Sequence, residues 1–252
     1  MGFDSKRGEN VIAGCGRWLL QEMREILYPP RCPVCDRILK PGEQICKACE
    51  KRIRTVSEPV CKRCGKPLQS AQAEYCTDCK KKQHAYRQGK AVFVYQGSIR
   101  ESMYRFKYHN RREYAVFYAK EAARLYSDWI RRNEIEVIVP VPMYLWKKRR
   151  RGYNQAEVFA RALGREWGIP VEDKLVRRVR NTTPQKELND KERVRNLKNA
   201  FQLASNIVEY SKILLVDDIY TTGSTMDAVA EQLLSGGAKS IYYICISIGT
   251  GF

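Results

Sequence analysis

Two sets of side chains in this sequence could do chemistry. The first lies in the run Leu214 to Met226, LLVDDIYTTGSTM, where two adjacent acids, Asp217 and Asp218, precede Thr221, Thr222, Gly223, Ser224 and Thr225. A Gly- and hydroxyl-rich turn that opens a helix offers free backbone N–H groups, which suit an anion. Carboxylates repel an anion, so a ligand that wants both must carry a phosphate and, close by, a vicinal diol. The acids would accept hydrogen bonds from that diol, directly or through the water shell of a magnesium ion. The run lacks the lysine of a P-loop and is not a GxGxxG dinucleotide fingerprint.

The second set is eight of the ten cysteines, arranged as Cys32/Cys35, Cys46/Cys49, Cys61/Cys64 and Cys76/Cys79. Each CxxC puts two thiolates on one tight turn, the knuckle geometry of tetrahedral zinc. Ten residues separate the first two pairs and eleven the last two, enough in each case for a hairpin that joins two knuckles. The order favours two four-thiolate ribbons in sequence, with an interleaved pairing left open. Four thiolates per ion leave no open position, so both ions should be structural. Cys15 and Cys245 stand apart as small apolar residues.

Lys and Arg number 46 against 28 Asp and Glu, a net charge of +18, which points to a polyanionic partner. No run of 18 apolar residues is present and the N-terminus has no signal-peptide pattern, so a cytoplasmic protein without a membrane span is expected.

Elements must carry these residues. Residues 1–30 contain a helix over Val11 to Leu27, stopped by YPP. Residues 31–85 are Cys- and Lys-rich, with few large apolar residues, and need metal to fold. Residues 86–252 alternate strands and helices: KAVFVYQG closed by Gly97, a helix from Tyr114 to Ile130, a strand over Val137–Val139, and a helix from Asn154 to Trp167. Residues 174–199 are highly charged and read, at least in part, as a long mobile segment. SKILLVDD, a helix from about Ser224 to Leu234, and SIYYICISI follow. This alternation predicts an α/β fold with a parallel sheet and ligands at the carboxyl edge of its strands, where Asp217 and Asp218 fall.

The apolar run, two acids and T-T-G-x-T resemble the signature of type I phosphoribosyltransferases, which bind phosphoribosyl pyrophosphate (PRPP). With VPVPMYLWKKRRRGYNQAEVFARAL from Val139, RNTTPQKELNDKERVRNLKNAF from Arg180 and the four cysteine pairs, the chain resembles the ComF family from about residue 28 onward. That resemblance implies a type I phosphoribosyltransferase fold preceded by a small zinc-ribbon domain of four-cysteine sites, and an association with DNA uptake in natural transformation. It also implies site residues. Asp217 and Asp218 would be the ribose and magnesium acids, and the catalytic pair in an active enzyme. Thr221 to Thr225 would hold the 5′-phosphate, and Val141, Pro142 and Met143 the pyrophosphate. Lys186 and Arg193 would lie on a mobile loop between Thr182 and Arg193 and neutralise the leaving group.

One region departs from the superfamily. The hood that would read a nucleobase, GSIRESMYRFKYHNRREY, is rich in Arg, Lys and Tyr, which suits single-stranded nucleic acid. Arg105, Lys107 and Tyr108, with Arg149, Arg150 and Arg151, are the nucleic-acid candidates; Tyr104, Phe106 and Tyr153 are further rings that could stack on bases. Three functions follow. The first is a PRPP-binding protein of DNA uptake that contacts single-stranded DNA and works with other uptake proteins. The second is an active phosphoribosyltransferase on an unidentified nucleobase or amine. The third is a zinc-ribbon adaptor with a relic sugar-phosphate site.

Overall fold

The computed structural model describes residues 29–180, 197, 199–204 and 208–250. The helix expected over Val11 to Leu27, and Lys186 and Arg193 of the expected mobile loop, lie outside these residues.

Two compact units divide between Lys51 and Arg52. The break falls between the two ribbons, so the second ribbon belongs to the same unit as the α/β part. In the first unit, Arg31 and Ile38 form an antiparallel bridge across the first knuckle, and α1 (Lys47–Glu50), capped by Cys46, carries Cys49 of the second. The second ribbon repeats the plan, with a Val60–Pro67 bridge and α2 (Thr77–Lys81).

The α/β part contains β1 (Gln88–Val94), α3 (Gly97–Tyr108), α4 (Tyr114–Arg132), β2 (Val137–Pro140), α5 (Leu145–Arg151) and α6 (Gln155–Trp167). It continues with β3 (Val176–Arg178), β4 (Phe201–Leu203), β5 (Lys212–Tyr220), α7 (Ser224–Ser235) and β6 (Ser240–Ile248). Strands β1, β6, β5 and β2 form one sheet in that order, every pair parallel. Strands β3 and β4 pair antiparallel as a separate ribbon. The described beginning of the charged segment is therefore a strand, anchored by buried Val176 and Phe201.

Alternation along the strands sends side chains to both faces. Ile213 and Leu215 of β5, with Ile241 and Tyr243 of β6, share one buried cluster with Val229, Ala230 and Leu233 of α7. Tyr242 points the other way, to the ring of Trp129 on α4. Gly97 opens α3 rather than closing β1, which ends at Val94. Asn154 caps α6, accepting the Ala156 N–H, and Gly168 ends it in the left-handed region at φ +68°.

Candidate sugar-phosphate site

Strand β5 runs four residues further than the expected Ile213–Val216, so the acids sit within the strand, at its carboxyl end. Asp217 is in register with Cys245 of β6. Both acids are half-buried. Asp217 Oδ1 accepts the Asp218 N–H at 2.8 Å, which holds its side chain against the backbone of the next residue. Burial first, and then the charge of Asp218, pushes the Asp217 carboxyl up to about 7, against opposing pulls from Lys107 and Arg178.

Past Tyr220 the chain turns through residues 221–223 into α7. Gly223 takes φ +80°, a conformation that favours glycine. A Cβ there would meet the Tyr220 hydroxyl at 2.6 Å and His84 Cε1 at 3.1 Å. Thr222 Oγ1 and Ser224 Oγ are 3.1 Å apart, and a small cavity is lined by Asp217, Tyr220, Thr221, Gly223, Ser224 and Thr225. Asp217 and the hydroxyl turn thus share one cavity at the start of a 12-residue helix, whose dipole favours an anion.

The turn after β2 lies beside them. Pro140 is in register with Val216, and the Val141 N–H donates to the Val216 carbonyl at 2.8 Å. The Val141 carbonyl in turn accepts from Asn154 Nδ2 at 3.0 Å, so the α6 cap also fixes the turn that holds Val141, Pro142 and Met143.

The segment expected to form the hood folds into helix α3, and it supplies a side chain that the sequence alone gave another role. Lys107 Nζ lies 2.9 Å from Asp218 Oδ2. Arg178 on β3 is close enough to Asp217 for their charges to interact, although burial lowers its own pKa. Neither contact is visible in residue spacing. Arg105 lies 4.0 Å from Glu101. Among the candidate rings, Phe106 and Tyr153 are core residues, and the Tyr153 hydroxyl donates to the Phe106 carbonyl. Tyr104 and Tyr108 are exposed and 5.0 Å apart. The Arg151 guanidinium lies over the Tyr108 ring at 4.9 Å, while Arg149 and Arg150 are exposed on α5 near the exposed Leu145 and Trp146.

The cysteines settle the pairing. Cys32, Cys35, Cys46 and Cys49 form one cluster and Cys61, Cys64, Cys76 and Cys79 the other, with all Sγ atoms of a cluster within 4.8 Å of one another. The Cys35–Cys46 and Cys64–Cys76 Sγ separations are both 3.7 Å. Four thiolates around a tetrahedral zinc at about 2.3 Å stand roughly 3.8 Å apart, so both sets fit that ion. The ribbons are sequential, not interleaved. A magnesium ion's preference for hard oxygen ligands fits Asp217 and Asp218, although Lys107 already occupies one side of Asp218.

Residues 119–248 match the phosphoribosyl transferase domain family, and residues 23–80 match the double zinc ribbon domain. Competence protein ComFC of Bacillus subtilis is 30% identical over 205 residues, covering 79% of this chain and 82% of that protein. The chain belongs to the ComF family. Competence protein F of Haemophilus influenzae is 44% identical over 108 residues, which is 42% of this chain and 47% of that protein. DNA utilization protein YhgH of Escherichia coli K12 is 40% identical over 111 residues, 43% of this chain and 48% of that protein. The matched region spans about half the length of these two relatives. As a ComF protein the chain has a parallel-sheet phosphoribosyltransferase fold with four-cysteine ribbons ahead of it. Among the described residues no helix is long and apolar enough to cross a membrane.

Proposed function

We propose that this ComF protein binds PRPP, with magnesium, at the carboxyl end of β5, and that it contacts single-stranded DNA during DNA uptake in the cytoplasm. The observation that carries the first part is the shared cavity of Asp217 and the 221–225 turn. The turn would hold the 5′-phosphate. Asp217 and Asp218 would hold the ribose hydroxyls and a magnesium ion, whose charge would offset that of the pyrophosphate. Residues 141–143 lie beside the acids, where a pyrophosphate joined to the same ribose would fall. The names of the relatives, competence protein and DNA utilization protein, support the uptake role. The exposed Tyr104, Tyr108 and Trp146, close in sequence to basic residues, support the DNA limb.

Calorimetric titration with PRPP, with and without Mg²⁺, tests the first limb. Heat that requires Mg²⁺ and disappears in Asp217→Asn is the expected result, and no heat in the unaltered protein would remove it. Gel shifts with single-stranded DNA at near-physiological salt test the second limb.

One observation favours transfer chemistry as a second reading. Asp217 lines the same cavity as the turn, and its carboxyl, raised by burial and then by the charge of Asp218, would accept a proton from an attacking nucleobase or amine. Pyrophosphate release across a panel of such acceptors would identify the enzyme, and silence across the panel would favour binding alone.

A further inference from the structure

Asp227 sits one turn into α7, almost wholly buried, and three donors from one short segment converge on it. Lys82 Nζ lies at 2.6 Å from Oδ2. His84 Nδ1 lies at 2.9 and 3.1 Å from the two oxygens, and the Ala85 N–H donates to Oδ1 at 3.0 Å. Burial alone would raise this carboxyl, but the His84 and Lys82 bonds outweigh it and hold it below the ordinary range. The segment that supplies the donors leaves directly from Cys79, the last thiol of the second ribbon.

The same segment covers the turn. Of the groups a Cβ on Gly223 would meet, the Tyr220 hydroxyl at 2.6 Å would clash and His84 Cε1 at 3.1 Å would be a tight contact. The His84 ring stacks on Tyr86 at 4.7 Å, and the Tyr86 and Tyr220 hydroxyls are bonded at 2.6 Å. Tyr220 stacks on Tyr243 at 4.9 Å, and the Tyr243 hydroxyl donates to the Cys64 carbonyl at 2.7 Å. Two arms therefore run from the second ribbon and close on Gly223, one from Cys79 through His84 and one from Cys64 through Tyr243 and Tyr220.

This arrangement is costly to keep for packing alone. A buried carboxylate with charged partners is seldom more stabilising than apolar side chains of the same volume. His84 Nε2 is buried with no hydrogen-bond partner among the described residues, so the ring leaves one nitrogen unpaired while Nδ1 serves Asp227. The cluster does adjoin the turn: the Asp227 N–H donates to the Gly223 carbonyl at 2.8 Å and the His84 ring lies against Gly223, and the N–H groups of such a turn must be preorganised to hold an anion.

We propose that His84 and Asp227 are positioning residues of the sugar-phosphate site, and that the second zinc ribbon is a built part of that site. The proposal rests on the reading that residues 221–225 hold a phosphate. His84 and Asp227 touch no ligand; they set the turn that does.

The test uses the full chain loaded with zinc and two probes, ribose 5-phosphate for the turn and inorganic pyrophosphate for residues 141–143. His84→Ala and Asp227→Asn should retain both zinc ions and weaken ribose 5-phosphate by about tenfold, the loss typical of one charge-assisted contact. Pyrophosphate affinity should be unchanged, and amide hydrogen exchange over 221–227 should quicken. His84→Asn, whose amide can still donate to Asp227, should recover most of the loss. Equal weakening of both probes would mean general damage and overturn the proposal, as would unchanged affinity together with unchanged exchange. If the unaltered protein binds neither probe, the phosphate reading fails by itself. The exchange rates then decide the brace alone: quickening supports it and unchanged rates overturn it.

Discussion

Lys107 of α3 and Asp218 of β5 form an ion pair at 2.9 Å, next in sequence to the acid that lines the proposed sugar-phosphate cavity. The side chains are only 18% and 17% exposed, so the pair is screened less than a surface pair. It joins the part of the chain that reads as a nucleic-acid surface to the part that reads as a sugar-phosphate site.

Lys107 should compete with magnesium. Lys107→Met removes a contact worth about 1 kcal/mol, roughly fivefold in an equilibrium constant. Magnesium titrated into the variant should bind more tightly by about that factor. Equal or weaker magnesium binding in the variant would show that the lysine supports the site rather than occupying it.

Asp217 makes a pH-dependent contribution of unusual sign. Its carboxyl is raised to about 7 in the folded protein, and a free aspartate titrates near about 3.9. Between those values the folded state keeps a proton that the unfolded state has lost. Stability should therefore fall as pH climbs through that window. Asp217→Asn should abolish this fall and be more stable at pH 7.5, on the order of 1–3 kcal/mol, with little difference near pH 4.5. Urea midpoints at the two pH values check this. Asp227, held below the ordinary range, acts in the opposite sense. Its contribution is lost only as pH falls below about 4, outside that comparison.

Gly223→Ala should damage the turn directly. It places a Cβ 2.6 Å from the Tyr220 hydroxyl at a positive φ. A cost of about 1–3 kcal/mol in denaturant stability is expected, with loss of ribose 5-phosphate binding. Unchanged binding would show that the turn has slack.

Much of this was legible in the sequence. SIYYICISI is β6 from end to end, and the helix expected from Tyr114 ends only two residues late, because apolar periodicity reports burial directly. The cysteine spacing gave the knuckles, and the thiol separations then chose the pairing. Contacts between distant segments were not legible. His84 and Asp227 are 143 residues apart, and nothing in the spacing of either points to the other. Lys107 read as a surface cation because a lysine in a basic helix says nothing about which carboxylate it faces. Phe106 and Tyr153 had the right chemistry to stack on bases, but the sequence does not show that they face each other in the core.

The exposed rings and cations can be tested separately from the sugar site. Tyr108→Ala should weaken single-stranded DNA by about 1–3 kcal/mol if a base stacks there. Arg150→Ala should reduce the salt slope of binding by roughly 0.7, the value for one phosphate contact on a single strand. Fluorescence titrations at several salt concentrations measure both. A Tyr108 variant that binds normally would move the DNA surface elsewhere.

The most direct measurement is a crystal structure of the protein with PRPP and magnesium. The 5′-phosphate should lie on the backbone of residues 221–225, the ribose hydroxyls and magnesium at Asp217 and Asp218, and Lys107 should have left Asp218. PRPP held only by surface lysines and arginines, with Lys107 still on Asp218 and the turn empty, would contradict the account.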